Sequence, residues 1–267
     1  MNKRFLLGVI TLALIASPVK ASFDAVSGCD ADTVIERLNQ KLSELQSYRL
    51  ETQVKVDERS IKTRIAGKQP DRLKLTMIPD NRSDRMTKAI FDGTHQWVQQ
   101  GEGSEARALK VNLEKTTSDQ RPFDTGYYLM GTGLLNGEDF PSTIQKLTSL
   151  YSLEAECSDS GIQLTGTVKS DEFLSYAKKR NSPQTGTKNV ERFKEQFGYL
   201  TLSLDRENLM VQGYSMGPSS TKQRLKVRFS TIELNPGLNE NTFDFTAPSG
   251  VKVRDITKTI LNRRNAN

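Results

Sequence analysis

Few residues in this chain could do chemistry. There is one histidine, His95, and there are two cysteines, Cys29 and Cys157. His95 follows Asp92-Gly-Thr, a turn sequence, and stands two residues before Trp97. A histidine so placed reads as a solvated turn residue rather than a general base. A hydrolase triad would have to draw on it, and no nucleophile elbow is expected to supply the partner. The histidine, cysteines and carboxylates lack metal-ligand spacing, so no metal site is expected. Gly126, Gly131 and Gly133 lie in an apolar stretch without the Lys-Ser/Thr pair of a phosphate loop. Carboxylates are plentiful, which alone does not make a glycosidase. The expectation is a protein with no catalytic residues and no cofactor.

What the chain does have is alternation. Tyr48, Leu50, Thr52, Val54 and Val56 interleave with Arg49, Glu51, Gln53 and Lys55, the period of a strand with one dry and one wet face. Ile61, Thr63 and Ile65 repeat the pattern. A breaker-rich turn, 67–72, leads into a strand over Leu73–Met77. Ala89–Val98 reads as strand, Asp-Gly turn and strand, because the tight hairpin turn needs φ > 0 at its central residues. This is an antiparallel meander. Before it, Asp32–Gln46 has a helical stripe of Val34, Ile35, Leu38, Leu42 and Leu45 behind a Thr33-x-x-Glu36 capping box.

Later segments continue the alternation. Strands are expected over 106–113, 153–157, 162–168, 199–204, 209–216 and 223–233, and helices over 141–150, 172–179 and 190–197. Gly126–Leu135 is apolar and aromatic but interrupted by glycines, which suits a movable cover better than a rigid helix. Core packing fits that segment and the 141–150 helix equally well.

The order of these signals resembles the LolA family of periplasmic lipoprotein carriers: a helix, a strand beginning at an aromatic, then Gly67…Pro70..Leu73.Leu75, then Asp92-Gly…Trp97. Phe243-Asp-Phe-Thr-Ala-Pro-Ser-Gly-Val-Lys-Val253 resembles that family's closing strand. The likeness covers most of the chain after residue 30. It implies an α+β, mainly β fold: a curved antiparallel half-open β-barrel, with an N-terminal helix and short lid helices over the concave face. It also implies an acyl-binding cavity lined by Leu50, Val54, Ile65, Leu73, Leu75 and Trp97, closed by a lid containing Tyr127, Leu129, Met130, Leu134 and Leu135. In the carriers an arginine before the turn proline helps latch the empty cavity. Here Gln69 holds that latch position. A filled core would give the same apolar pattern, and the resemblance tips the reading towards a cavity.

Met1–Ala21 reads as a cleaved secretory signal, with Lys3 and Arg4 ahead of the apolar run Phe5–Ala16 and Val19-Lys-Ala21 at the cleavage site. Val26-Ser-Gly-Cys29 also matches a lipobox locally, and the alternative is a lipid anchor at Cys29. Lys20 and Asp24 separate that cysteine from the apolar run. Loss of Lys3, Arg4 and Lys20 would bring the formal charge from +6 to +3. That charge is spread along the chain with no basic, aromatic-bearing stripe, so nucleic acid is not an expected partner. In an exported chain Cys29 and Cys157 are expected to pair, and the alternative of a redox thiol lacks a Cys-x-x-Cys motif. The organisation expected is a signal peptide (1–21), one domain (22–255, with 171–197 as an insertion) and a basic tail (256–267).

Together these readings point to a periplasmic, monomeric carrier of lipid or lipoprotein acyl chains, with an inner-membrane donor and an outer-membrane acceptor as further partners. The alternative is a domain of the RseB type that senses envelope stress without carrier activity.

Overall fold

The computed structural model describes residues 29–80, 86–116, 139–179 and 187–265. The elements, in chain order, are α1 (Ala31–Ser43), β1 (Ser47–Val56), β2 (Arg59–Lys68), β3 (Arg72–Pro79), β4 (Thr87–Asp92), β5 (His95–Gln100) and β6 (Arg107–Asn112). Then come α2 (Phe140–Leu150), β7 (Tyr151–Ser158), β8 (Gly161–Val168), α3 (Ser170–Lys179), α4 (Thr187–Phe197), β9 (Tyr199–Leu204), β10 (Val211–Gly217), β11 (Leu225–Leu234), β12 (Val253–Asp255) and α5 (Thr257–Asn265). The strands form one open twelve-stranded sheet in the order β12-β6-β5-β4-β3-β2-β1-β11-β10-β9-β8-β7. This is the mainly-β, half-open architecture expected. Two antiparallel meanders, β1–β6 and β7–β11, are sewn together by the β1–β11 pair.

Register explains why one face is dry. Leu50 pairs with Ile65, Ile65 with Leu75, Leu75 with Ala89, and Ala89 with Val98. These side chains form a continuous apolar row across five strands, all buried. The stripe Val34, Leu38 and Leu42 of α1 and Ile144 and Leu147 of α2 join the same core. Phe173 of α3 and Phe193 of α4, stacked at 4.4 Å, belong to it too, so these two helices cover the second meander.

Local chemistry sets the ends. The capping box places the N-cap at Thr33, whereas the structure puts it at Asp30. The Asp30 carboxylate accepts both the Thr33 N–H and its hydroxyl at 2.8 Å, satisfying an orphan donor from further upstream. Cys29 and Cys157 form a disulfide, with Cα atoms 5.8 Å apart across 128 residues of sequence. It ties the entry of α1 to the edge strand β7 and, in the chain-entropy account, contributes on the order of 5 kcal/mol.

The C-terminal segment departs from the expected closing strand. Phe243 ends a single 3-10 turn, Glu240–Phe243, capped by the Asn239 side chain, which accepts from the Asn241 N–H. Only Val253–Asp255 pairs, in parallel with Ala108–Lys110 of β6. The segment is a strap across the outer face of the sheet. Leu238 and Phe243 pack there on Ala66 and Ile90, and Phe245 stacks on Trp97 at 5.0 Å and 11°. Phe243 is fully buried there and Phe245 half-buried. The tail beyond it is helical, with the Thr257 hydroxyl accepting from the Asn112 N–H at 3.0 Å.

Candidate functional site

Four of the six expected cavity residues, Leu50, Val54, Ile65 and Leu75, sit at the centre of the main core with exposures of 3% or less. Leu73 lies at its end. Trp97 does not join them: it pairs with Ile90, in the register that sends Val98 inward, and so faces outward. There its indole N–H donates to Asp92 Oδ2 at 2.7 Å, and Lys110 Nζ stands 5.0 Å above its ring.

A pocket opens where β2 turns into β3. It measures about 510 Å³ and is bordered by the apolar groups of Tyr48, Leu73, Phe91 and Leu113 and by the polar groups of Lys68, Gln69, Arg72 and Asp139. Its volume falls within the roughly 300–1,000 Å³ common for small-ligand sites. Of the six expected residues, Leu73 borders it. The lid residues Tyr127, Leu129, Met130, Leu134 and Leu135 lie outside the described residues, in the segment that separates Glu114 from Asp139. Both of those residues line the pocket.

Tyr48 sets the pocket's inner wall. It pairs with Gly67, and its ring lies where a side chain at 67 would be: a Cβ there would stand 2.1 Å from the Tyr48 ring. Glycine therefore lets the ring cross β2, and its hydroxyl accepts the Phe140 N–H at the start of α2, at 3.3 Å. Burial pushes the Tyr48 phenol well above the usual tyrosine range, so it stays neutral.

The latch position makes a direct link to the same helix. Gln69 Nε2 donates to Asp139 Oδ2 at 2.7 Å, while Asp139 Oδ1 accepts the Ser142 N–H at 2.9 Å and so caps α2. The Gln69 N–H donates to the Gln46 carbonyl at 2.9 Å, and the Gln69–Pro70 peptide bond is cis. Asp139 was not singled out from sequence, although an Asp directly before Phe140-Pro-Ser is an N-cap signal.

Lys68 and Arg72 both turn away to the strap. Arg72 Nη1 lies 3.0 Å from Glu240 Oε2, and Lys68 pairs with Glu240 Oε1. The hydrogen bond from Lys68 is the largest influence and holds the Glu240 carboxyl below the usual range; desolvation opposes it, and the charges of Arg72 and Lys68 add to it. Deeper in the core, the hydroxyls of Thr63 and Thr143 are buried with no hydrogen-bond partner.

The Gly-x-Ser-x-Gly pattern of a nucleophile elbow does occur in the sequence, at Gly213-Tyr-Ser-Met-Gly217, but not in the setting of an elbow. All five residues belong to β10, with Ser215 paired to Lys226 on one side and Thr201 on the other. An elbow needs a sharp strand-to-helix turn to expose its serine, so the match is a strand sequence. His95 donates its backbone N–H to Asp92 Oδ1 at 2.7 Å, and its ring nitrogen Nδ1 lies 2.8 Å from Thr94 Oγ1. Both contacts are internal to the turn. Among the described residues no group of three His, Cys, Asp or Glu side chains could hold a metal ion. None of their helices is long and apolar enough to cross a membrane.

No family model matches this chain, and no curated protein does. Solved structures do. A conserved uncharacterized protein from Thermus thermophilus matches at 9% identity over 84% of this chain and 98% of its own, with a TM-score of 0.45. In the complex of MucA and MucB from Pseudomonas aeruginosa the match is 11% identical, over 81% of this chain and 61% of that one, with a TM-score of 0.43. This chain thus spans less than two thirds of that partner's length. A LolA superfamily protein from Nitrosomonas europaea matches at 10% identity over 82% and 99%, with a TM-score of 0.31.

Proposed function

We propose that the protein is an exported, non-enzymatic carrier that shelters the acyl chains of a lipid or lipoprotein at the inner face of its sheet. Entry is at the mouth bordered by Leu73, Phe91 and Leu113. The observation that carries this reading is that the next row of the inner face, Tyr48, Leu73 and Phe91, borders an open pocket of about 510 Å³ at one end of the apolar face. The motif order shared with the LolA-like carriers supports it. Each methylene buried in the pocket is worth about 0.8 kcal/mol before ordering costs. Leu50, Val54, Ile65 and Leu75 are already buried in the core they share with α1 and α2, so a longer chain reaches them only by displacing what packs on them. The segment carrying Tyr127 to Leu135 is the cover in this proposal, and Gln69 its latch.

Native mass spectrometry with lipid extraction, on protein purified from the compartment to which it is exported, tests the reading. Bound lipid or lipoprotein acyl chains are expected. A protein that carries none, and takes up no environment-sensitive fatty acid, overturns it. Transfer of the lipid to an acceptor membrane or protein marks a carrier; stable capture of an inner-membrane signalling protein without transfer marks the RseB-type sensor.

A further inference from the structure

The outer face of the sheet has two halves. Near the mouth the strap covers it. Towards the β1–β2 hairpin it is bare, and there the register gathers cations from three strands. Lys55 and Lys226 are direct cross-strand partners, while Lys62 and Arg228 flank Gln53 from either side. All four are exposed. Their strand positions place them within about 12 Å of one another, the diagonal of two strand spacings by one two-residue step.

What distinguishes these four is exposure without counter-charge, since Lys74 and Lys88, the lysines further along this face that are also unpaired among the described residues, are half-buried. Elsewhere on and around this face the arginines are paired: Arg49 with Glu233 at 2.7 Å, Arg64 with Glu51 at 3.0 Å and Arg224 with Asp57 at 3.1 Å. Lys55, Lys62, Lys226 and Arg228 have no such partner among the described residues. Glu58 is the remaining acid of the hairpin tip, in the turn itself. Like charges placed directly opposite on a sheet are destabilising, so the Lys55–Lys226 pair costs stability that a partner outside the chain would recover.

We propose that this bare half of the outer face docks on an anionic phospholipid surface. The chemistry separates a membrane from other polyanions. A protein interface needs a desolvated aromatic or aliphatic anchor. Val253, far from this patch on β12, is the one exposed large hydrophobic residue among those described. Single-stranded nucleic acid would need stacking aromatics, and the patch has none. A headgroup layer needs charge alone, and gives about a five-fold gain in partitioning for each lysine or arginine at the surface. Docked in this way the mouth stays free, because Tyr48 lies seven residues from Lys55 along β1, about 24 Å.

Co-sedimentation of the full chain with vesicles of phosphatidylglycerol and phosphatidylcholine, against pure phosphatidylcholine, tests this at low salt. Binding is expected only to the anionic vesicles, and it should fade as the Debye length shrinks. Lys55→Gln/Lys226→Gln is expected to weaken it on the order of 25-fold while melting no lower than wild type, since repulsion is relieved. Lys252→Gln/Lys258→Gln removes the same charge elsewhere and is expected to leave most binding intact. Equal binding to both vesicle types overturns the proposal, as does equal weakening by the two double variants. Salt-sensitive retention on an acidic protein with no vesicle binding also overturns it.

Discussion

On the inner face, the row from Leu50 through Ile65, Leu75 and Ala89 to Val98 is buried in one core with the apolar stripes of α1 and α2. On the outer face, the neighbouring row of Ala66, Lys74, Ile90 and Trp97 is dry only where Leu238, Phe243 and Phe245 cross it. The strands are the same, and period two deals their residues to both sides. The inner core is written into every strand. The outer core is borrowed from a segment more than 130 residues downstream, and it ends where that segment ends. One side is therefore closed along its whole row, while the other is left with exposed charge beyond the strap.

The largest effects should come from cutting the two cores. Leu50 and Phe243 are each fully buried, one per face. Leu50→Ala is expected to cost about 2–5 kcal/mol and Phe243→Ala about 3–5 kcal/mol, read from denaturant midpoints. The comparison gains a second readout because Trp97 is the only tryptophan. Phe243→Ala should change its native emission, since the strap that carries Phe245 is loosened, whereas Leu50→Ala should not. A Phe243→Ala protein of wild-type stability would mean the strap merely rests on the sheet.

The inner face was legible because its signal is local. Alternation in Tyr48–Val56 and Ser60–Ala66, with the Asp92-Gly turn, places the strands, and the helical stripe of α1 shows what covers them. The outer face was not, because its partners are distant in sequence and its contacts follow from register. Trp97 looks like one more apolar residue of a strand until the Asp92–His95 turn fixes its parity. Phe243-Asp-Phe has the alternation of a strand, but Asn239 winds the residues before it into a turn. Three-residue pairing of β12 with β6 leaves no pattern to read. The four outer cations look scattered at positions 55, 62, 226 and 228 until β1 meets β11. At the site, Leu73 and Gln69 were legible, while the mouth's other walls, Tyr48, Phe91, Leu113 and Asp139, are assembled from four separate elements.

A smaller effect should appear at the hinge between the faces, where Asp92 closes the β4–β5 turn. Burial by itself would raise its carboxyl, but donors from Trp97, His95 and Thr94 together hold it below the usual range. A carboxyl whose folded pKa is depressed stabilises the protein above its unfolded value, near 4. That contribution is lost as pH falls through the lower folded value. Asp92→Asn is therefore expected to cost about 1 kcal/mol at neutral pH, after allowance for solvent screening. The gap from wild type should close below about pH 4. Trp97 emission in the wild type should titrate over the same acid range. A gap that persists in acid would assign the cost to geometry rather than charge.

The smallest expected change is at Gln69, and it bears on whether the inner face opens at all. The Gln69 amide already holds Asp139, the cap of α2, at 2.7 Å, so the position acts as a neutral tie where the resembling carriers use arginine. Gln69→Arg would offer Asp139 a charged donor without changing the sheet. Because the site is part-buried at the pocket rim, the gain in stability should be about 0.5 kcal/mol, the scale of a partly solvated ion pair. A tighter tie should act more on rate than on stability. If α2 and the segment before it must move for a chain to enter, each increment in the tie's strength adds to the opening barrier and uptake of an environment-sensitive fatty acid slows by about two-fold. Gln69→Ala should do the reverse, speeding uptake with a small loss of melting temperature. Uptake rates that ignore both substitutions would mean a ligand enters without parting Gln69 from Asp139, and the mouth beside Leu73 and Phe91 would then be open as it stands.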